Sequence, residues 1–327
     1  MNGIRKGISL FSGCGGSSLG YKLAGVDIIY ANEFVKKASD TYKLNFPDTF
    51  VDTRDIRTIS HNDILNKINL KVGELDFLDG SPPCASFSTS GKRQEGWGKI
   101  RKYSGTRQRT DDLFYEYIRL VENIQPKIFI AENVKGLIMG KSVGYFNIFF
   151  KKLSSLNYNV KAACLDASYL EVPQMRKRVF IIGIRKDLKK KPVFPKKQKQ
   201  MICKDVYDKN YYIEPEARKL SPCYIKYGQY IKQGENSKKY INLKRNCLYR
   251  PSFTILASYG SGGCPLHPYE DRFMSIAELK DICSFPQSFK LTGSYKEKCE
   301  RLGRSVPPNM MKNIIKTLRK EVFNENT

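Results

Sequence analysis

Two hydrophobic periods alternate through the first half of the chain, and this alternation narrows the possible folds more than any other feature. Short apolar runs at residues 7–11, 27–32, 75–79, 127–131 and 179–184 read as strands. Residues 112–124 place Leu113, Tyr117, Leu120, Val121 and Ile124 at helical spacing. Repeated βα units predict an α/β fold, a mostly parallel sheet covered by helices. Such sheets hold their ligands beyond the carboxyl ends of the strands. A last helix is expected over residues 309–322, after Pro307-Pro308.

The rhythm stops after Arg185. Residues 185–250 hold 19 Lys and Arg against 6 Asp and Glu, and 8 of the 20 tyrosines. Basic charge interleaved with aromatic rings suits phosphate contact and base stacking. The whole chain carries a net charge of +25, which favours a polyanion as partner. A solvated lysine-rich insertion is the alternative. No run of 18 apolar residues occurs, so no membrane span is expected. The N-terminus lacks the apolar core of a signal peptide. Nine cysteines without a Cys-x-x-Cys pair indicate neither a disulfide framework nor a zinc knuckle, and suggest a reduced, intracellular protein. With His61 and His267 alone, no metal is expected and a Ser-His-Asp triad is disfavoured.

Four motifs carry the chemistry. Phe11-Ser12-Gly13-Cys14-Gly15-Gly16 follows the first strand, with Ser17 or Ser18 placed to cap a helix. Its glycines let backbone approach a ligand, and Glu33, 20 residues after Gly13, is placed to accept from ribose hydroxyls. Together they suggest an adenosine-containing cofactor. Ser18 stands where a third glycine would be, which disfavours a dinucleotide. Pro82-Pro83-Cys84 holds a thiol on a stiff loop at a strand end, as a nucleophile requires. Glu132-Asn133-Val134 offers a carboxyl that can act as an acid toward a ring nitrogen. Gln174-Met175-Arg176-Lys177-Arg178 puts two guanidinium groups on one face of an extended segment. Each also has a plain reading: a tight turn, a buried cysteine, a surface glutamate, a basic strand edge.

In this order, the motifs resemble those of the DNA cytosine-C5 methyltransferase family, of the bacterial restriction-modification type. Residues 9–25 are similar to its first motif and Gly80-Ser81-Pro82-Pro83-Cys84 to its catalytic loop. Ala131-Glu132-Asn133-Val134 and Gln174-x-Arg176-x-Arg178 match two more. Residues 272–289 resemble the motif closing the recognition region, and Gly303-Arg304-Ser305-Val306-Pro307-Pro308 the C-terminal one. The resemblance covers nearly the whole chain. It implies a Rossmann-like, mixed but mostly parallel sheet with helices on both faces. A catalytic domain at 1–187 and 294–327 would bind S-adenosylmethionine and release S-adenosylhomocysteine. A smaller, irregular target-recognition domain would span 188–293.

The resemblance also implies roles. Cys84, Glu132, Arg176 and Arg178 would be catalytic. Phe11, Gly13, Gly15, Gly16, Glu33, Phe34, Asp55, Ile56, Pro82, Leu113 and Ser305 would hold the cofactor. Ser88, Ser90 and Lys92 would lie in a loop closing over double-stranded DNA, with the target base flipped out. A monomer in the bacterial cytoplasm, with a cognate restriction endonuclease acting separately, is the implied setting. Two departures stand out: Arg304 replaces the usual asparagine and Ser275 a common threonine. A tRNA cytosine methyltransferase and a catalytically inactive DNA-binding homologue stay open as alternatives. The target sequence cannot be read from these residues.

Overall fold

A computed structural model describes residues 4–83, 101–103, 106–108, 110, 112–208, 210–220, 222–238, 243–257 and 263–324. Seven strands form one mixed sheet in the order β3-β2-β1-β4-β7-β9-β8. They are β1 (Lys6–Leu10), β2 (Asp27–Asn32), β3 (Phe50–Asp52), β4 (Phe77–Gly80), β7 (Ile128–Val134), β8 (Tyr158–Asp166) and β9 (Lys177–Arg185). The first five run parallel; β9 is antiparallel to both β7 and β8. A separate hairpin pairs β5 (Arg101–Tyr103) with β6 (Thr106–Gln108). The helices are α1 (Gly16–Leu23), α2 (Lys36–Asn45), α3 (His61–Ile68), α4 (Leu113–Ile124), α5 (Val143–Ser155), α6 (Pro215–Arg218), α7 (Pro222–Gly228), α8 (Ile276–Ile282), α9 (Tyr295–Arg304) and α10 (Pro308–Phe323).

The central strands are buried on both faces, as a helix-covered parallel sheet requires. Alternate residues feed two cores. Phe77, Ile128, Ile130, Phe180 and Ile182 pack toward α1, α8, α9 and α10; Ile8, Leu78, Phe129, Ala131 and Ile181 pack toward α3, α4 and α5. Three helix starts carry reciprocal capping boxes: Ser60 with Asp63, Ser275 with Glu278, and Ser294 with Glu297. Serine at 275 therefore keeps the capping oxygen that a threonine would supply.

Two local expectations change. Helix α1 begins at Gly16, and its N-cap is Gly15 with φ 97°, not Ser17 or Ser18. Only glycine adopts that conformation at little cost, so the turn sets the helix start. Residues 132–134 lie within β7 rather than after it.

Residues 186–275 carry short helices and isolated bridges in place of a βα rhythm. Ala217, Tyr224, Ile231, Leu243, Ile255, Leu266 and Phe273 join the core that α8, α9 and α10 share. Part of the basic charge faces inward. Arg245 is buried and donates to the carbonyls of Ile231, Gly228, His267 and Glu270, while Arg272 pairs with Glu270 and Glu278.

Candidate active site

The sheet topology brings four motifs to one edge. Strands β1, β2, β4 and β7 deliver their carboxyl ends there. Because β9 is antiparallel, its beginning arrives at the same edge, and Arg178 registers opposite Val134. The arginine motif that precedes a strand thus meets the motifs that follow strands.

Glu132 is clamped from two sides. Its Oε1 lies 3.0 Å from Arg178 Nε, and its Oε2 accepts a 2.7 Å hydrogen bond from Ser81 Oγ. The Arg178 and Glu132 side chains are 13 % and 9 % exposed. Next to Glu132, Asn133 Nδ2 donates to the carbonyl of Pro82 at 3.2 Å, which fastens the diproline loop to β7. Beneath, Asp79 accepts from Ser9 Oγ at 3.1 Å and Tyr21 OH at 2.7 Å. Burial, and secondarily the charge of Glu132, raise its carboxyl to about 7, against the pull of those two bonds. Burial also lowers the Arg178 guanidinium, which the Glu132 charge opposes.

A cavity of about 470 Å³ opens beside this clamp. Phe11, Phe34, Ile56 and Leu113 give it apolar walls; Glu33 and Asp55 give it acids; Lys37, Lys296 and Arg304 give it cations. Glu33 Oε2 accepts from Gly13 N at 2.8 Å and Oε1 from Val35 N at 2.7 Å. Burial nonetheless raises its carboxyl above the ordinary range, opposed by those bonds and by the charge of Arg304. Gly13 lines the cavity at φ +57°, and a Cβ there would meet nothing within 4 Å. A Cβ on Gly16 would stand 2.4 Å from the Val306 carbonyl, so the first motif and the last are in backbone contact. Cys14 Sγ lies 3.0 Å from Ser305 Oγ and is buried, which pushes its thiol up to about 11. Apolar side chains, acids and cations in one cavity suit a ligand that combines an aromatic ring with hydroxyl and charged groups. Ser81 and Pro83 line the same cavity, so it adjoins the Glu132 clamp.

Of the expected cofactor residues, Phe11, Gly13, Gly16, Glu33, Phe34, Asp55, Ile56, Leu113 and Ser305 line this cavity. Gly15 turns the chain against Phe46, and Pro82 is buried under Asn133, with Pro83 on the wall instead. Cys84, Ser88, Ser90 and Lys92 lie outside the described residues. Arg176 departs from the shared face expected of it. It precedes β9, is 2 % exposed, and donates to the carbonyls of Ile255 and Gly303. Sequence reasoning missed Asp79, Ser81 as the partner of Glu132, and the cover of the cavity by α9. It also missed Arg57, which bridges Asp55 and Asp112. Arg304, the departure from asparagine, stands on the cavity wall and pairs with Glu300 at 2.9 Å.

Among the described residues no helix is long and apolar enough to cross a membrane, and no group of three His, Cys, Asp or Glu could hold a metal ion. Comparison with known proteins agrees with the geometry. A type II methyltransferase of Neisseria gonorrhoeae, M.NgoPII, is 31 % identical over 96 % of this chain and 95 % of its own. M.FnuDI of Fusobacterium nucleatum is 30 % identical over 95 % and 93 %. The fold superposes with TM-score 0.77 on an E. coli prophage protein described as a DNA modification methyltransferase, 23 % identical, covering 98 % of this chain and 100 % of that one. The profile of the C-5 cytosine-specific DNA methylases matches residues 5–320, and the chain belongs to that family.

Proposed function

We propose that this chain uses S-adenosylmethionine to methylate C5 of a cytosine flipped out of duplex DNA. The clamp of Glu132 between Ser81 and Arg178, beside a cavity of about 470 Å³ that Ser81 also lines, is the observation that carries this reading. A flipped base costs a few kcal/mol of stacking and pairing, roughly, and must be met by groups already in place.

The cavity chemistry fits the cofactor. Glu33 would take the ribose, Phe34 and Ile56 the adenine faces, Asp55 the adenine edge, and Ser305 with Arg304 the amino-acid end. Bound there, the cofactor supplies an electrophilic methyl carbon for C5. The chain does the rest. Cys84 thiolate would attack C6, forming an S–C6 bond and moving ring electrons toward N3. Glu132 would take up a proton from solvent as the base enters and pass it to N3, so that C5 becomes nucleophilic. Arg178 would hold both Glu132 and the O2 side of the base. Once C5 carries the methyl group, a solvent base would take the C5 proton. The C–H pair would re-form the C5–C6 double bond as the S–C6 bond breaks, and Cys84 would leave as thiolate. N3 would return its proton to Glu132. Arg176 lies too deep to touch the base and acts through what it holds.

Residues 1–187 and 294–327 would form the catalytic domain and 188–293 the target-recognition domain. Its basic and aromatic residues suit DNA phosphates and bases better than tRNA in this reading. The intact clamp has no use in an inactive homologue. Relatives named type II methyltransferases support a modification role beside a separate endonuclease; a monomer in the bacterial cytoplasm is part of the same proposal. The test is Cys84→Ala, with tritium transfer from labelled cofactor into duplex DNA and tRNA. Loss of transfer with both ligands still bound is expected; appreciable turnover by that variant overturns the mechanism.

A further inference from the structure

Arg176 stands two residues before the Arg178 that grips Glu132, yet its guanidinium serves two other walls. Nη1 donates to Ile255 O at 3.1 Å and Nη2 to Gly303 O at 3.0 Å. Nε is buried without a hydrogen-bond partner. Both acceptors are backbone carbonyls, not carboxylates. Burial, and then the charge of Arg178, lower this guanidinium to about 9.

A purely structural junction does not need a cation here. Gln174, two residues upstream, already accepts from Ile255 N through Oε1 and donates through Nε2 to Ile282 O. Backbone bonds from Ser252 to Pro173 and from Met175 to Ser252 fix the same segment. A desolvated charge is expensive, and a neutral side chain of similar volume is often as stable or more so. What Arg176 adds is reach: one rigid fork spans both walls.

The first wall is the segment 252–257, which enters the glycine- and serine-rich stretch Ser258-Tyr259-Gly260-Ser261-Gly262 of the recognition region. The second wall is Gly303, whose successors Arg304, Ser305 and Val306 line the cofactor cavity. The two walls leave no slack. A Cβ on Gly303 would stand 2.3 Å from Leu256 O and 2.4 Å from Leu256 C, both backbone atoms. Close-packed neighbours pass displacement on instead of absorbing it.

We propose that Arg176 is a positioning residue that couples the two ligands, an inference that rests on the functional reading above. Duplex DNA held against 252–257 and cofactor held against Gly303–Val306 each bind more tightly when the other is present. Coupling between sites is reciprocal, so it can be read from either ligand.

The experiment titrates S-adenosylhomocysteine into the full chain with and without sheared, unmethylated genomic duplex. Wild type should bind it about 5-fold or more tightly with DNA present. Arg176→Met should bring that ratio below about 2, with the affinity in the absence of DNA within about 3-fold of wild type. Arg176→Lys, which keeps charge and donors, should restore part of the ratio. Gly303→Ala parts the walls without touching the charge and should also lose it, which covers a failure of Arg176→Met to fold. A wild-type ratio in folded Arg176→Met, or no ratio in wild type, overturns the coupling. Tritium transfer to the same duplex by wild type is scored separately: its absence overturns the reaction, whereas transfer with an unaltered Arg176→Met ratio overturns the coupling alone.

Discussion

Arg178 Nε lies 3.0 Å from Glu132 Oε1 although the two residues are 46 positions apart on strands of opposite direction. The register pairs Glu132 with Phe180 and Val134 with Arg178, so Arg178 sits two residues diagonal to Glu132 on the same face. With Ser81 Oγ on the other oxygen, the carboxyl cannot rotate freely. In the proposed reaction, the group that meets a ring nitrogen is thereby oriented before the base arrives.

Arg178→Ala should lower methyl transfer by about 100-fold or more, the usual effect of losing a preorganised electrostatic contact. The affinity for S-adenosylhomocysteine should stay close to wild type, because Arg178 does not line the cavity. The variant should also melt earlier, since Glu132 keeps its burial and loses its ion-pair partner. Single-turnover tritium transfer with calorimetric binding separates these effects. Wild-type turnover would remove Arg178 from the site.

Gly20→Ala tests packing apart from chemistry. A Cβ at Gly20 would stand 2.4 Å from Pro308 O and 2.6 Å from Met311 Cβ, where α1 crosses α10. Overpacking of this kind costs about 1–3 kcal/mol. The melting temperature should fall while methyl transfer per folded molecule holds. Gly16→Ala, by contrast, presses on the Val306 carbonyl at the cavity wall and should weaken S-adenosylhomocysteine binding as well. Equal effects of the two substitutions on that binding would contradict the assignment of the cavity.

The strand–turn motifs were legible because each is local: a few residues fix the end of a strand and the groups beyond it. Nine of the expected cofactor residues share one cavity for that reason. Arg176 and Arg178 were not distinguishable, since alternation says that they share a face only if both lie in the strand. β9 starts at Lys177, and Arg176 turns instead to a carbonyl 127 residues away. Asp79 was overlooked because an acid next to a glycine turn reads as exposed. Its burial depends on Tyr21 and Ser9, placed over it by a different strand and helix.

Asp79 gives a pH dependence of stability. Its folded carboxyl is raised to about 7 from a usual 3.8. Between those values the folded state binds the proton that the unfolded chain has lost, so stability falls as pH rises from about 4 to 7. Each pH unit across that span costs on the order of 1.4 kcal/mol at most. Asp79→Asn keeps an acceptor for Tyr21 and removes the titration. It should raise the melting temperature at pH 8 much more than at pH 5. Equal shifts at both, or a loss confined to pH 8, would show that Asp79 is held ionised.

Glu132→Gln isolates the proton from the shape. The amide carbonyl can face Arg178 Nε and the amide N–H can donate to Ser81 Oγ, so both arms of the clamp have a partner in the variant. S-adenosylhomocysteine binding should therefore change little, while the melting temperature should fall because the buried Arg178 loses its counter-charge. A glutamine can hydrogen-bond N3 but cannot transfer a proton to it, so C6 attack leaves charge on the ring. Methyl transfer should drop by about 100- to 10,000-fold, the range for loss of a positioned acid. If Glu132→Gln keeps the wild-type rate, Glu132 only braces the diproline loop and some other acid serves N3.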